Sequence, residues 1–464
     1  MADERAQARA QIRGVKQTAE ADLLARKNVI GVDIADKVTD GSNTGQLAIV
    51  VFVEKKEPNS KLAAADRVPK EIDGVPTDVQ EMTVELQGPA MEQVEAVTPE
   101  VDTTTYATLH GGISMGPLRS VHLAPPDVPS EGNYIFAGTL GAMVRDRSNG
   151  KTMALTNFHV ACVNNTWSVG DRMVQPSLLD GGSSSNQFGS LTRATLSDAV
   201  DGAVVTVDAS KPTSATIEQI GDVAGYTAAS VGAAVRKRGR TTELTYGSVV
   251  STDFTVSINY GSDVGTRTLH HQIRIQTDTT RSARFSDHGD SGSVVVDANR
   301  KVVGLLFAGS TDGQWTFANP IQSVLDELNV DLVVAPAVTR PILTCLNTRL
   351  TVCELTRPAT CVLTRATTCN LTRTVVCTVT RPVTCTPTRI VTCNVTRTAV
   401  CLVSRTTCTL TRAGCNLPGP GPVEGGQSED GHGYGSADDV PEEYWAGYLA
   451  ALEEIDELDQ PEQD

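Results

Sequence analysis

The first hundred residues carry two kinds of hydrophobic pattern. Residues 1–28 are rich in Ala, Gln, Arg and Glu, which favours a helix. The runs VIGVDI at 29–34 and QLAIVVFVEKK at 46–56 are apolar and β-branched, and a turn-rich stretch separates them. A further strand is predicted at about 75–82. Together these elements predict a small α+β module over residues 1–100.

From about residue 106 to residue 333 the pattern changes to many short β-branched runs. Gly, Asn and Asp punctuate runs such as KTMALTN, GAVVTVD, HHQIRIQTD and GSVVVDANRKVVGLLFAG. Strands and turns that alternate without intervening helices are typical of a β-barrel or a β-sandwich. The segment 320–330 closes the region with a helical pattern. We therefore predict a mainly β domain over residues 101–335.

A short repeat occupies residues 336–416. Cysteine recurs every eight residues from Cys345 to Cys401 and then at Cys408 and Cys415, in units of the form Cys-x-x-Thr-Arg-x-x-x. Because eight is even, an extended chain places the cysteines from Cys345 to Cys401 on one face and the repeat threonines of those units on the other. The repeat therefore predicts a repetitive β array.

Charge is distributed unevenly along the last quarter of the chain. Residues 340–416 hold ten Arg against one acid, whereas residues 417–464 hold fourteen acids and no Lys or Arg. By composition, residues 417–464 form a flexible acidic tail with a short amphipathic helix at 441–458. We hypothesise that the arginine row pairs with this tail within the same molecule.

Composition excludes several classes of function. The net charge of -16 argues against non-specific nucleic-acid binding, which needs clustered Lys and Arg. No run of about 18 apolar residues is present, and the charged start lacks the apolar core of a secretory signal. We therefore expect a cytoplasmic protein that binds neither nucleic acid nor membrane.

Ten of the eleven cysteines fall in the repeat, so disulfides do not hold the first 340 residues together. Zinc sites usually place cysteines two to four residues apart, so a repeat metal site would need thiols aligned from neighbouring coils. Half-buried free thiols, or disulfides formed after release from the cell, are alternatives that the sequence leaves open. For the β domain we expect no metal and no cofactor.

The stretch FSDHGDSGSVVVD at 285–297 raises the question of catalysis. A serine hydroxyl such as that of Ser291 needs an imidazole to accept its proton, a carboxylate behind the imidazole and backbone donors for the oxyanion. His159 stands in MALTNFHVAC, where an apolar strand runs into a polar corner. The remaining histidines lie in predicted loops, in a strand, beside the turn or in the tail: His110, His122, His270, His271, His288 and His432.

The motifs ALTNFHVAC, VDGAVV and GDSGS, in this order, resemble those of trypsin-like (chymotrypsin-fold) serine peptidases, especially the disulfide-free bacterial branch. The resemblance covers about residues 110–333. It implies two six-stranded antiparallel β-barrels, with His159 as general base, Asp201 as its orienting carboxylate and Ser291 as nucleophile. The N-terminal module also resembles one that precedes trypsin-like domains in some bacterial proteins and in plant narrow-leaf proteins.

The resemblance extends to the residues around the turn. Asp201 is followed by one residue, then Ala and an apolar run, as in the family motif, whereas its rival Asp198 is not. Gly202 departs from the Ile, Leu or Ala that many relatives have at that place. The backbone N–H groups of Gly289 and Ser291 are expected to form the oxyanion hole. In many secreted relatives the residue matching Asp290 pairs with a new N-terminus, but no activation site is present here, so Asp290 must find local partners.

The resemblance also indicates a substrate cleft. Phe285 is expected at the base of the primary pocket, and Phe307, Ala308 and Gly309 are expected to form its wall, with His288 at its rim as a possible substrate contact. No acid stands at the base, so a preference for Lys or Arg is not expected. An apolar or small side chain is expected there instead.

Two functions compete. The leading hypothesis is a serine endopeptidase that acts on protein or peptide substrates through an acyl-enzyme. The alternative is a catalytically silent trypsin-like shell that binds peptides or assembles, with the repeat array as the interacting part. A homo-oligomer is compatible with both.

Raising the salt concentration tests the pairing of the repeat arginines with the acidic tail. At about 1 M salt the Debye length falls to about 3 Å, so we expect the tail to separate and the radius of gyration in solution scattering to rise. A radius that stays constant from low to high salt contradicts the pairing.

Overall fold

Helix α1 (Ala2–Leu24) forms where its composition predicted a helix. The structure, a computed structural model, describes residues 2–87, 90–93, 102–335 and ten strands between 343 and 416. Ile12 and Leu23 of α1 are buried in an apolar cluster with the strands that follow. No helix within these described stretches combines the length and apolarity that crossing a bilayer requires.

The N-terminal strands confirm the predicted positions near 29–34, 46–56 and 75–82. The first two are antiparallel neighbours, and the strand from Val75 runs parallel to the second. A 3₁₀ helix spans Ala64–Asp66. The strands are β1 (Val29–Thr39), β2 (Ser42–Val53), β3 (Glu71–Ile72), β4 (Val75–Glu81), β5 (Val84–Leu86) and β6 (Ala90–Gln93).

The next part of the chain builds the first barrel. The strands of this part are β7 (Leu109–Gly111), β8 (Ile113–Pro117), β9 (Val121–Leu123), β10 (Gly132–Leu140), β11 (Ala142–Asp146), β12 (Thr152–Thr156), β13 (Arg172–Val174), β14 (Gln187–Leu196), β15 (Asp201–Val207), β16 (Thr213–Ile217) and β17 (Gly221–Asp222). Of these, β7, β16 and β17 form a separate three-stranded sheet, and β9 pairs only with β10. The short helix α2 (Phe158–Ala161) follows β12, and 3₁₀ helices span Leu178–Asp180 and Ser184–Asn186.

The pairing order of the first barrel is β11, β12, β15, β14, β13, β8 and β10, all antiparallel. Because β10 continues into β11 through Gly141, the order returns on itself and six strand positions enclose the core. Met115, Leu140, Met143, Phe188 and Leu191 are buried inside. The predicted six-stranded first barrel is confirmed.

The second barrel follows directly. Its strands are β18 (Ala234–Gly239), β19 (Glu243–Asn259), β20 (Thr266–Thr277), β21 (Val294–Asp297), β22 (Val302–Ser310) and β23 (Trp315–Pro320). They pair in the closed antiparallel order β18, β21, β22, β23, β20, β19 and back to β18. Helix α3 (Ile321–Glu327) then leads to β24 (Val330–Leu332), which pairs with β11 of the first barrel.

Strand β1 extends the second barrel, a connection that the sequence did not predict. It pairs antiparallel with β19, with Gly31 opposite Val256 and Val32 opposite Thr255. The α+β module therefore shares one hydrogen-bonded sheet with the second barrel. Glycine is needed at the crossing, since a Cβ on Gly31 would lie 2.9 Å from the carbonyl oxygen of Thr255.

The described strands between residues 343 and 416 belong to a second unit. Its described strands alternate between two parallel sheets, so that each strand pairs with the second strand after it. Cysteines fall opposite cysteines in every pair, beginning with Cys345 opposite Cys361 and Cys353 opposite Cys369. The strands are β25 (Leu343–Asn347), β26 (Val352–Leu355), β27 (Ala359–Leu363), β28 (Thr368–Leu371), β29 (Val375–Val379), β30 (Thr384–Pro387), β31 (Val391–Val395), β32 (Val400–Leu402), β33 (Cys408–Leu410) and β34 (Cys415–Asn416).

The hypotheses on the repeat cysteines and arginines concern side chains that lie outside the described residues. The acidic tail and its helix at 441–458 also lie outside them.

Two glycine-to-alanine substitutions are expected to change stability in opposite directions. Gly31→Ala forces a methyl group against the Thr255 carbonyl and the Phe254 ring, and such overpacking costs about 1–3 kcal/mol. Gly14→Ala adds a methyl group to the exposed face of α1, with no atom within 4 Å, and is expected to stabilise by about 0.8–1 kcal/mol. Urea unfolding of both variants checks this, and a Gly31→Ala protein as stable as the parent contradicts the tight crossing.

Candidate active site

His159 is fixed by a corner between two elements. Strand β12 ends at Thr156, and the single turn of α2 presents the imidazole immediately afterwards. The ring is 3% exposed, and its Nδ1 lies 2.5 Å from Oδ2 of Asp201. Asp201 is the first residue of β15, which pairs with β12, so the sheet itself brings the two side chains together.

The Asp201 carboxylate is buried and surrounded by donors. Besides the imidazole, it accepts hydrogen bonds from the backbone N–H of His159 (3.3 Å) and from the hydroxyl of Tyr260 (3.0 Å). Burial, and next the charge of Asp201, raise the pKa of Tyr260 well above its usual value, so the phenol remains a donor. The rival Asp198 is exposed and is not the partner of His159.

The backbone of Asp201 is held as firmly as its side chain. Its N–H donates to Oδ1 of Asn319 (3.2 Å), and its carbonyl oxygen accepts from Nδ2 of Asn157 (2.7 Å). Asn319 belongs to β23, so the second barrel supports a residue of the first.

The other imidazole nitrogen of His159 has no hydrogen-bond partner among the described residues, although it is buried. When Nδ1 donates to Asp201, Nε2 carries the lone pair and is free to accept a proton. A buried acceptor without a partner is costly in a purely structural role, and it is what a general base requires.

The turn that carries Ser291 depends on two glycines. Gly289 has φ = +96° and Gly292 has φ = +94°. A Cβ on Gly289 would lie 2.4 Å from Oγ1 of Thr241, and one on Gly292 would lie 2.2 Å from the carbonyl oxygen of Thr139. Both the backbone conformation and the available space therefore require glycine at these two positions.

Asp290 stabilises this turn through local partners, as the sequence predicted. Its Oδ1 accepts from the backbone N–H groups of Thr241 (2.9 Å) and Thr242 (3.1 Å), and its Oδ2 lies 3.2 Å from Nζ of Lys237. Both charged side chains are fully buried. Burial lowers the pKa of Lys237, and the Asp290 carboxylate opposes that shift.

The two barrels bring the Ser291 turn against the His159 corner. A Cβ on Gly292 would lie 2.4 Å from Oγ1 of Thr156, the last residue of β12. The Ser291 hydroxyl nevertheless donates to the carbonyl oxygen of Phe307 (3.2 Å) and not to the imidazole. Among the described residues, the backbone N–H groups of Gly289 and Ser291 donate to no acceptor.

Cys162, three residues after His159, is a second side chain that could act as a nucleophile. It is fully buried, and this burial raises the pKa of its thiol well above the usual value. The thiol stays protonated and inaccessible, so Ser291 remains the candidate nucleophile.

The predicted cleft residues differ in their positions. Phe307, Ala308 and Gly309 lie at the end of β22, where they face β5. Phe285 is fully buried in the core of the second barrel. His288 is half-exposed beside the turn, with Nε2 3.5 Å from Oε1 of Glu85.

Sequence reasoning missed several residues that support the site. Tyr260, Asn319 and Lys237 reach it from distant strands, and no local pattern marks them. For Lys237 the only signal in the sequence was its place inside a run that reads as a strand, AVRKRG. His110 and His122, expected in loops, lie in β7 and β9.

No family model and no curated protein matches the chain. Solved structures do. They include Thermobifida fusca protease A (21% identity, 49% of this chain and 100% of that chain, TM-score 0.35), Nocardiopsis protease (19%, 48% and 97%, TM-score 0.34) and Cellulomonas bogoriensis chymotrypsin (20%, 49% and 98%, TM-score 0.33). Over about half of its length, the chain is similar to bacterial trypsin-like serine proteases.

Proposed function

We propose that this chain is a serine endopeptidase that hydrolyses peptide bonds through an acyl-enzyme intermediate. The observation that carries the proposal is the buried His159–Asp201 pair; Nε2 of His159, which has no partner among the described residues, stands in a corner that packs against the Ser291 turn. Such a site supplies a base, an orienting carboxylate and a nucleophile to one place.

The first step moves one proton and forms one bond. The Ser291 hydroxyl, which donates to the Phe307 carbonyl, first turns about its Cα–Cβ bond toward Nε2 of His159. The imidazole accepts the proton as Oγ attacks the peptide carbonyl carbon. The carboxylate of Asp201 stabilises the imidazolium and holds its orientation.

The second contribution is electrostatic. The N–H groups of Gly289 and Ser291, without acceptors among the described residues, are available to the oxyanion. A donor of this kind is worth about 2.7–4 kcal/mol in the transition state. His159 then protonates the leaving amine, and water hydrolyses the acyl-enzyme with the same imidazole as base.

The substrate is held by its backbone. Ala308, Gly309 and Ser310 already pair with an extended segment, β5, in an antiparallel register, and the Phe307 carbonyl oxygen accepts from the next residue, Gln87. Strand addition of this kind recognises peptides through main-chain hydrogen bonds. This supports protein or peptide substrates bound in extended form.

A fluorophosphonate probe tests the proposal. We expect labelling of the full-length protein to vanish in Ser291→Ala and to persist in Ser210→Ala, which alters an exposed serine. The probe should also be applied to Gln87→Pro. Gln87 follows β5, and its backbone N–H donates to the Phe307 carbonyl oxygen, so the proline is expected to loosen the segment that lies beside Ser291 and to give the probe access. Folded protein that is labelled in neither form supports the catalytically silent shell.

Two aspartates three residues apart provide a matched test of the orienting carboxylate. Asp201→Asn removes the charge that stabilises the imidazolium, and by analogy with other serine proteases we expect the rate of probe labelling to fall by about 10⁴-fold. Asp198→Asn changes an exposed side chain and should leave the rate unchanged. Equal rates in the two variants contradict the assignment of Asp201.

A further inference from the structure

Strand β5 lies in the cleft of the candidate active site. It pairs antiparallel with the end of β22, with Val84 opposite Ser310, Glu85 opposite Gly309 and Leu86 opposite Ala308. The cleft is therefore filled by a segment of the same chain, bound through its backbone.

One carbonyl oxygen connects this segment to the nucleophile. The backbone N–H of Gln87 donates to the carbonyl oxygen of Phe307 at 3.1 Å, and the Ser291 hydroxyl donates to the same oxygen at 3.2 Å. The carbonyl carbon of Gln87 is two bonds from that nitrogen. Because the Gln87 nitrogen and the Ser291 hydroxyl share one acceptor, this carbon is the candidate for attack by a rotated hydroxyl.

The Gln87 side chain is seated where a substrate side chain would be. It is 2% exposed, and a Cβ on Gly309 would lie 2.5 Å from its Nε2. Only glycine at position 309 leaves this space. From the sequence, an apolar or small side chain is expected here; glutamine is neither, and it agrees only with the expectation that Lys and Arg are not preferred.

Two further contacts hold the segment. Glu85 faces His288, with 3.5 Å between Oε1 and Nε2. Val84 and Leu86 pack against the apolar cluster that contains Phe307. Backbone pairing, one polar side-chain contact and apolar packing thus act on residues 84–87.

We propose that the protein cleaves its own chain on the carboxyl side of Gln87, within one molecule. The inference rests on the proposed function, since it assigns the first substrate of that same site. It also defines a recognised substrate class: extended peptides that present glutamine to the nucleophile, with glutamate two residues before it.

The reaction balances with one water molecule. Oγ of Ser291 bonds to the Gln87 carbonyl carbon, and its proton passes to His159. The bond to the next nitrogen in the sequence, that of Gly88, breaks as His159 returns the proton to it. Water then hydrolyses the ester, which leaves a carboxylate on Gln87, a free amine on Gly88 and Ser291 as it began.

The experiment is intact mass analysis and N-terminal sequencing of the full-length protein made in a cell-free system. We expect fragments 1–87 and 88–464 from the parent and a single unbroken chain from Ser291→Ala. Because the reaction is intramolecular, its first-order rate constant should stay the same over a tenfold dilution. A rate constant that rises with protein concentration, or cleavage after Gln87 that persists in Ser291→Ala, overturns the proposal.

Matched variants test the seat of the segment. Gln87→Pro removes the N–H that donates to the Phe307 carbonyl oxygen and should abolish cleavage. Glu85→Lys replaces the carboxylate that lies 3.5 Å from the His288 imidazole with an ammonium group, and this loss of a contact should slow cleavage several-fold. Glu131→Lys, which breaks a similar exposed contact to His122, should leave cleavage unchanged. Equal rates for Glu85→Lys and Glu131→Lys contradict the assigned register.

Probe labelling distinguishes failure of the self-cleavage proposal from failure of the peptidase proposal. A parent protein that is labelled at Ser291 but remains unbroken disproves self-cleavage and leaves the peptidase proposal standing. Folded protein that is labelled neither as the parent nor as Gln87→Pro disproves the peptidase proposal itself.

Discussion

The buried carboxylate of Asp201 is the interaction on which the site depends. A carboxylate without water is costly unless donors surround it. Here the donors are the His159 imidazole and backbone and the Tyr260 hydroxyl, while Asn319 holds the Asp201 backbone. Asp201 and His159 belong to the first barrel, whereas Asn319 and Tyr260, which directly follows β19, come from the second, so contacts to this one residue join the two barrels. The position of the imidazole follows from those contacts.

The buried carboxylate of Asp290 holds the Ser291 turn in place, as that of Asp201 holds His159. Asp290 is paired with Lys237, a residue of β18 that is present as soon as the barrel folds. The turn is therefore supported without a free N-terminus. Burying such a pair adds little net stability, but removing either partner leaves an isolated charge and typically costs about 3–5 kcal/mol. The pair acts as a constraint on the shape of the turn.

The sequence predicted the parts of the fold that local patterns encode. Alternating runs of β-branched residues marked the strands of both barrels, and Gly289 and Gly292 marked a turn that only glycine can form. It could not predict β1 beside β19 or β5 beside β22, because the partners lie more than two hundred residues apart. The exposed edge of a strand can pair with any extended segment, so the sequence TVEL at 83–86 does not indicate which strand it pairs with. Tyr260 and Asn319 lie 59 and 118 residues from Asp201, so no local pattern marked them either.

Strand β5 follows β4 after only Met82 and Thr83, and β4 belongs to a sheet that β1 joins to the second barrel. A tether this short gives the segment an effective concentration of about millimolar at the cleft. Any external peptide must compete with that local ligand, whether its chain is whole or cut. Weakly binding sequences are then excluded, and only partners that bind more tightly than the tethered strand gain access to Ser291.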